Sequence, residues 1–199
     1  MRLSAGKNLR LFKNPILEQF TYVHPFMPVA LWGPVVLVCL GIAVWRETLT
    51  LGFSLALAFA GLAVWTLSEY VLHRFIFHLK PTGKLTKRIY FLIHGVHHDD
   101  PEDARRLLMP PVAALLIASV FYVSFYFTLG PIQANPFFAG FIFGYLCYDY
   151  THFAVHFAKP KSKWFKNLKY NHMQHHYATP HKRYGVSNTF WDHVFKTNG

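Results

Sequence analysis

The chain of 199 residues is 53% hydrophobic and 18% aromatic, and only 15% of its residues are charged. Soluble domains carry about 45–50% apolar and about 25% charged residues, so the composition argues against a soluble protein and indicates a membrane protein of one domain, residues 1–199. Cys39 and Cys147 lie in apolar runs without CxxC spacing; we expect buried free thiols and no disulfide framework.

The predicted elements follow the apolar runs in chain order. Residues 1–25 mix basic and apolar side chains, which predicts an amphipathic segment lying in the interface plane as a short helix, and not a cleaved signal peptide. Each of the four apolar runs that follow approximates the ~20 residues needed to cross a bilayer. They predict transmembrane helices at about residues 26–45, 49–72, 111–129 and 137–157, the first closed by Arg46 and Glu47.

The basic residues predict which side of the membrane the polar segments occupy. Four spans place residues 1–25, 73–106 and 158–199 on one side, and these segments hold 19 of the 20 Lys and Arg residues. The positive-inside rule makes that side cytoplasmic. Topology and anionic headgroups therefore account for the net charge of +11, and we predict no nucleic-acid partner.

Ten of the thirteen histidines fall into four short clusters, all in the polar segments or at the ends of spans on the cytoplasmic side. Neutral imidazole is the commonest metal ligand in proteins and suits zinc, copper, iron and nickel. One HxxxH pair often carries no metal. Two copies of HxxHH with two further pairs favour a metal centre over packing. The clustered residues are His73, His78, His94, His97, His98, His152, His156, His172, His175 and His176.

The spacing within the clusters indicates how many metal ions they hold. Helical residues three and four apart share a face, so His152 and His156, and each HxxHH cluster, are expected to point their imidazoles toward one place. His73 and His78 are five apart, about 140° around an ideal helix; they either face one metal across a helix break or serve different metals. Eight to ten imidazoles exceed the four ligands of a tetrahedral site, so two metals are predicted.

Three acidic residues lie close to the clusters in sequence. Glu69 and Asp149 each come about one turn before a clustered histidine, and Asp99 follows His98 directly. Metal-bound histidines usually donate their other N–H to a carboxylate or carbonyl group, so we expect these residues to act as hydrogen-bond partners of the ligands. Solvation of charge or helix capping are the alternatives. The isolated histidines are expected at the surface or supporting the ligands: His24, His181 and His193.

The motifs HRFIFH, HGVHHDDPEDARRLLMPP, YDYTHFAVHF and HMQHH, with the closing FWDHVF, resemble the fatty acid 2-hydroxylases. These belong to the membrane sterol desaturase and fatty acid hydroxylase superfamily, and the likeness covers roughly residues 9–196. It implies an all-α integral membrane protein of four transmembrane helices, with a cytoplasmic helical cap from residues 73–106 and 158–199. The cap would hold a di-metal centre ligated by the ten clustered histidines.

The resemblance also implies the reaction and its cofactors. The family inserts one oxygen atom of O₂ at C2 of a fatty acyl chain, often one found in sphingolipids. By this resemblance the two metals are expected to be iron in the active enzyme. Zinc binds imidazole well and is expected as a possible occupant in purified protein, but it cannot change its redox state. We expect no catalytic residue beyond the metal ligands.

Electrons are expected from a separate carrier such as a ferredoxin or a cytochrome b5-like protein. About 25 residues precede the first span, too few for the cytochrome b5-like domain of many eukaryotic members. This compact form favours the bacterial inner membrane, with the endoplasmic reticulum as the alternative.

The substrate and its alternatives are less constrained by the motifs. Candidate anchors for a lipid headgroup are Arg105, Arg106, Lys182, Arg183 and Tyr184. A related oxygenase or desaturase acting on a sterol, carotenoid or alkylglycerol would share the histidine scaffold. A metal transporter or storage protein is the alternative outside the enzymes, although transporters place ionisable ligands at mid-membrane depth. A haem protein would leave most of the histidines without a role.

Overall fold

The computed structural model describes residue 7, residues 9–45 and residues 49–199. Every regular element in this part of the chain is helical, as expected for an all-α protein. Arg46 and Glu47 lie outside the described residues, as do residues 1–6 and 8 of the N-terminal segment. The helices are α1 (Pro15–Gln19), α2 (Met27–Trp45), α3 (Leu51–Val71), α4 (Lys84–Tyr90), α5 (Val96–Asp99), α6 (Pro111–Leu129), α7 (Ala134–Phe157), α8 (Lys163–Tyr177) and α9 (Phe190–Val194).

One compact unit, which we call the apolar unit, comprises His24–Leu67 and Met109–Asp149. Helices α3 and α7 approach each other closely in it because glycines lie at their contact. A Cβ atom on Gly61 would lie 1.9 Å from the Phe137 carbonyl oxygen, and one on Gly140 would lie 1.8 Å from the Ala58 carbonyl oxygen. Small residues at such positions allow two helix backbones to come together in an apolar environment.

Two helices have the length and composition needed to cross a membrane. These are Leu51–Phe77, which extends α3, and Pro111–Leu129, and only 17% and 11% of their most apolar windows are buried. Such large exposed apolar surfaces are rare on soluble proteins and mark membrane or protein contacts. Helix α2 is shorter in its apolar part, Met27–Ala43, and α7 is largely buried within the apolar unit. The four expected spans therefore all form helices, while a crossing by all four stays a prediction.

The second compact unit, which we call the histidine unit, comprises Ser68–Leu108, Tyr150–Gly199 and the described residues up to Val23. The three segments that the charge pattern assigned to one side of the membrane thus come together. Val23 packs with Leu107 and Leu108, and its N–H donates to the Arg105 carbonyl oxygen at 2.7 Å. These contacts tie the N-terminal segment to the loop that follows α5.

Two details differ from the sequence-based expectations. In the described part of residues 1–25, the helix is limited to Pro15–Gln19, where the Asn14 side chain caps it by accepting from the N–H groups of Ile16 and Leu17. The two cysteines are free thiols, but only Cys39 is buried and Cys147 is exposed. An apolar run does not reveal which of its helix faces turns outward, so the expectation for Cys147 was wrong.

Candidate metal centre

The ten clustered histidines converge into two groups of five in the histidine unit. Within each group, one ring nitrogen per residue lies within 4.8 Å of all the others. Such convergence of imidazoles is the arrangement that could hold a metal ion. The first group is His73, His78, His94, His98 and His175, and the second group is His97, His152, His156, His172 and His176.

A π-helical segment decides between the two alternatives for His73 and His78. Residues Leu72–Phe77 form a π-helix after α3, and the His78 N–H donates to the His73 carbonyl oxygen at 3.2 Å. This i→i+5 pattern replaces the α-helical one and brings positions five apart together. Both residues therefore belong to the first group. A second π-helical segment, Phe91–Gly95, leads into α5 and carries His94.

Each HxxHH cluster contributes to both groups, which corrects the expectation that a cluster points to one place. His94 and His98 lie in the first group and His97 in the second, whereas His172 and His176 lie in the second and His175 in the first. The reason is helical rotation, because consecutive residues point about 100° apart. Adjacent histidines on one helix therefore reach different groups.

The close spacing of the Nε2 atoms fits a bound ion in each group. In the first group the His73–His94 and His78–His175 distances are 3.2 and 2.9 Å. In the second, three pairs lie 2.8–3.0 Å apart. At metal–nitrogen distances of about 2.0–2.1 Å, ligands at right angles are about 2.9 Å apart and tetrahedral ligands about 3.4 Å apart. The spacing and the five imidazoles per group thus suit a site with more than four ligands.

The protonation states of the imidazoles also suit metal binding. The Nδ1–H groups of His73 and His175 donate to the carbonyl oxygens of Tyr184 (2.5 Å) and Lys182 (2.7 Å), which leaves each Nε2 with a lone pair. Burial, and then the neighbouring imidazoles, lower the pKa of His78 to about 3. Neutral imidazole is the form that binds a metal. Among the described residues, three buried ring nitrogens have no hydrogen-bond partner: Nε2 of His98 and Nδ1 of His172 and His176.

The three acidic residues beside the clusters occupy different surroundings. Glu69 is buried and accepts the N–H groups of Val186 and Ser187, both at 2.8 Å. Asp149 is buried and accepts the Tyr145 hydroxyl at 2.9 Å, whereas Asp99 is exposed. The Nδ1 groups of His73 and His175 have backbone carbonyl oxygens as their hydrogen-bond partners. Residue types in a sequence do not reveal that a backbone group takes this role.

The expected substrate anchors separate into internal and accessible residues. Arg106 forms buried ion pairs with Glu18 and Asp103, its side chain being 3% exposed, so the structure gives it an internal role in place of the expected anchoring one. Arg105, in contrast, has a side chain that is 40% exposed. Buried charges require partners, and the sequence alone does not show which of two adjacent arginines is buried.

The remaining expected anchors follow one another beside the first group. Lys182 is exposed, Arg183 donates to the Asn171 side-chain oxygen at 2.5 Å, and Tyr184 is buried. The Tyr184 ring centroid lies 5.6 Å from those of His78 and His175. The three isolated histidines are exposed and lie outside both groups: His24, His181 and His193.

Sequence reasoning missed Asp192, which is fully buried. Its carboxylate accepts the N–H groups of Tyr184 at 2.9 Å and Gly185 at 2.8 Å. The only signal was its place in the closing motif FWDHVF, since a carboxylate among aromatic residues needs polar partners if it is buried.

Comparison with known proteins places these features in a family. The family model described as fatty acid hydroxylase matches residues 58–197. The dihydroceramide fatty acyl 2-hydroxylase of Arabidopsis thaliana is 35% identical over 94% of this chain and 79% of its own length. The fatty acid 2-hydroxylase of Rattus norvegicus is 34% identical over 97% of this chain, which spans 57% of that relative's length.

A solved structure, described as full-length Scs7p with only the hydroxylase domain visible, superposes with a TM-score of 0.87. It is 38% identical to this chain, and the match covers 94% of this chain and 70% of that one. The shared fold, the sequence identity and the range matched by the family model all indicate the same family. The chain belongs to the fatty acid hydroxylase family.

Proposed function

We propose that this protein hydroxylates C2 of a long-chain fatty acyl group with O₂. The observation that carries the proposal is the pair of five-histidine groups in a chain whose relatives are named as acyl 2-hydroxylases. In this proposal the ten histidines bind two metal ions, one in each group. Iron at both positions, supplied with O₂ and electrons, would provide an oxidant strong enough for an unactivated C–H bond.

Residues next to the histidine groups would orient the proposed metal-binding imidazoles and set the position of the substrate. Selectivity for C2 requires that this carbon, and no other, be held next to the oxidant. Lys182, Arg183 and Tyr184 are the proposed headgroup anchors, because the backbone of this segment contacts His73 and His175 directly. Arg105 is a further candidate because its side chain is partly exposed.

The proposal includes a position in the membrane and a source of electrons. The acyl chain would reach the site from the bilayer, crossed by the four helices α2, α3, α6 and α7, with the histidine unit as a cytoplasmic cap. The exposed apolar surfaces of Leu51–Phe77 and Pro111–Leu129 support this arrangement. A ferredoxin or a cytochrome b5-like protein would supply electrons, in a bacterial inner membrane or in the endoplasmic reticulum.

The test is a lipid analysis in a host that lacks 2-hydroxy lipids. The chain is expressed aerobically with a long-chain fatty acid, and the membranes are hydrolysed and analysed for 2-hydroxy fatty acids. Wild type and His181→Ala, which changes an exposed histidine outside both groups, should form the product, and His172→Ala should not. Product from the His172→Ala variant would refute this account of the site. A different oxidised or unsaturated lipid in the wild type would refute the proposed regiochemistry.

A further inference from the structure

We propose that the buried carboxylates of Glu69 and Asp192 act together as positioning residues for the first histidine group. They do so through the loop 182–187, whose carbonyl oxygens orient two of the five imidazoles. The inference rests on the proposed binding of one metal ion by each histidine group and adds that the two sites depend on different supports.

The two carboxylates accept hydrogen bonds from four consecutive backbone N–H groups. Asp192 binds those of Tyr184 and Gly185, and Glu69 binds the next two, at residues 186 and 187. Glu69 also accepts the Ser187 hydroxyl group. Both carboxylates are buried, Glu69 being 2% and Asp192 0% exposed, so water does not compete for these bonds. The loop is thus fixed from α3 on one side and from α9 on the other.

The loop has little room to shift within these contacts. A Cβ atom on Gly185 would lie 2.0 Å from the Asn188 carbonyl oxygen and 2.8 Å from Asp192 Oδ2. The Arg183 N–H donates to the Thr197 carbonyl oxygen at 2.8 Å, and the Thr197 hydroxyl donates to Asp192 Oδ1 at 2.7 Å. The same short segment therefore carries restraints at both its beginning and its end.

The loop in turn determines how two imidazoles are oriented. The Tyr184 and Lys182 carbonyl oxygens accept from Nδ1–H of His73 and His175. A hydrogen bond at Nδ1 fixes both the tautomer and the rotation of the ring, and so the direction of the Nε2 lone pair. Both histidines belong to the first group. In the second group, Nδ1 of His172 and of His176 has no partner among the described residues.

The test measures metal retention in the full-length protein, purified in detergent and loaded with Zn²⁺ as the probe. A chelator titration followed by elemental analysis gives the affinity for each of the two ions. We expect Glu69→Ala to lower the affinity for one ion about 10- to 100-fold, the usual cost of losing an outer hydrogen-bond partner. The affinity for the other ion should be unchanged. Glu69→Gln should retain both affinities, because its amide oxygen can accept both N–H groups and its amide N–H can donate to the Ser187 hydroxyl.

Glu18 offers a matched control for the loss of a buried carboxylate. Its Oε2 atom accepts the N–H groups of Leu11 and Phe12 at 2.9 and 2.7 Å, the same paired arrangement in a segment outside both histidine groups. Glu18→Ala should therefore leave both affinities at the wild-type values. A matching loss of zinc in Glu18→Ala and Glu69→Ala would show that the effect is general destabilisation and would overturn the proposal.

Two histidine backgrounds assign the weakened ion to a group. With His156→Ala, which removes a second-group ligand, Glu69→Ala should still weaken the first-group ion by the full factor. The His78→Ala background lacks one of the proposed first-group ligands. In this background Glu69→Ala should lower the zinc affinity little further, because both changes act on the same ion. The opposite pattern would overturn the proposal.

Asp192→Asn provides a second variant should Glu69→Ala fail to fold. Whichever way the amide points, one of the N–H groups of Tyr184 and Gly185 loses its acceptor, while the side chain keeps its shape. We expect this variant to bind the same single ion more weakly. Affinities that stay unchanged for both ions, or that fall equally for both, would overturn the proposal. Because no turnover is measured, a wild type that holds two ions but forms no 2-hydroxy acid would refute the proposed function alone.

Discussion

The buried guanidinium group of Arg106 provides a quantitative test of how the histidine unit is held together. It donates to Asp103 Oδ2 at 2.9 Å and to the Tyr22 hydroxyl at 3.0 Å, and it also pairs with Glu18. The side chains of Asp103 and Glu18 are only 2% and 11% exposed. Removing one partner of a buried ion pair costs about 3–5 kcal/mol, because the remaining charge is buried without compensation. Arg106→Ala should lower the free energy of unfolding by that amount.

The assay is thermal unfolding of the detergent-solubilised protein, followed by circular dichroism. For a chain of this size each kcal/mol shifts Tm by about 2–4 °C, so a decrease of roughly 6–20 °C is expected. Arg105→Ala is the matched control. Arg105 lies 3.4 Å from Asp103 and its side chain is 40% exposed, so its loss should cost less than about 1 kcal/mol.

The pH dependence gives a second check on the same network. Burial raises the pKa of Glu18, but the N–H groups of Phe12 and Leu11 and the Arg106 guanidinium outweigh it and hold the pKa below its ordinary value. The stabilisation from Glu18 is therefore present above its unfolded-state pKa of about 4.3 and is lost as the pH falls through the lower folded-state pKa. The difference between wild type and Arg106→Ala should narrow below about pH 4, since a protonated Glu18 carboxyl group no longer needs the cation. Equal Tm values for Arg106→Ala and Arg105→Ala at pH 7 would refute the reasoning.

Three further predictions concern helix packing and the metals. Gly140→Ala should lower the free energy of unfolding by about 1–3 kcal/mol because its Cβ would meet a backbone carbonyl oxygen, whereas Gly52→Ala, with open space around it, should not; equal Tm values would contradict the close approach of α3 and α7. His78→Ala should retain one metal ion fewer per chain than His181→Ala by elemental analysis, and equal retention would remove His78 from the proposed ligands. Chelation should abolish 2-hydroxy acid formation, and Fe²⁺ but not Zn²⁺ should restore it because zinc has no redox chemistry; recovery with Zn²⁺ would contradict the iron proposal.

Several features could be predicted from the sequence because they depend on local pattern and side-chain chemistry. Apolar runs of about 20 residues form helices at the expected places, since such runs satisfy their backbone groups internally. The number and spacing of the histidines were enough to predict that they come together, and all ten lie in the two groups. That each group binds a metal ion stays a prediction. The motifs around the histidines were enough to predict the family, which the comparisons confirm.

The tertiary structure decided how those residues are combined. A π-helical segment brings His73 and His78 into one group, a departure from α-helical spacing that residue types do not signal. Helical rotation directs adjacent histidines to different groups. The folded chain buries the Arg106 side chain in ion pairs, while that of its neighbour Arg105 stays partly exposed. Local sequence thus determined the helices and the clustering of the histidines. The assignment of each histidine to a group, and the contacts that orient it, depend on residues far apart in the chain. Glu69 and Ser187, 118 positions apart, meet only in the folded protein.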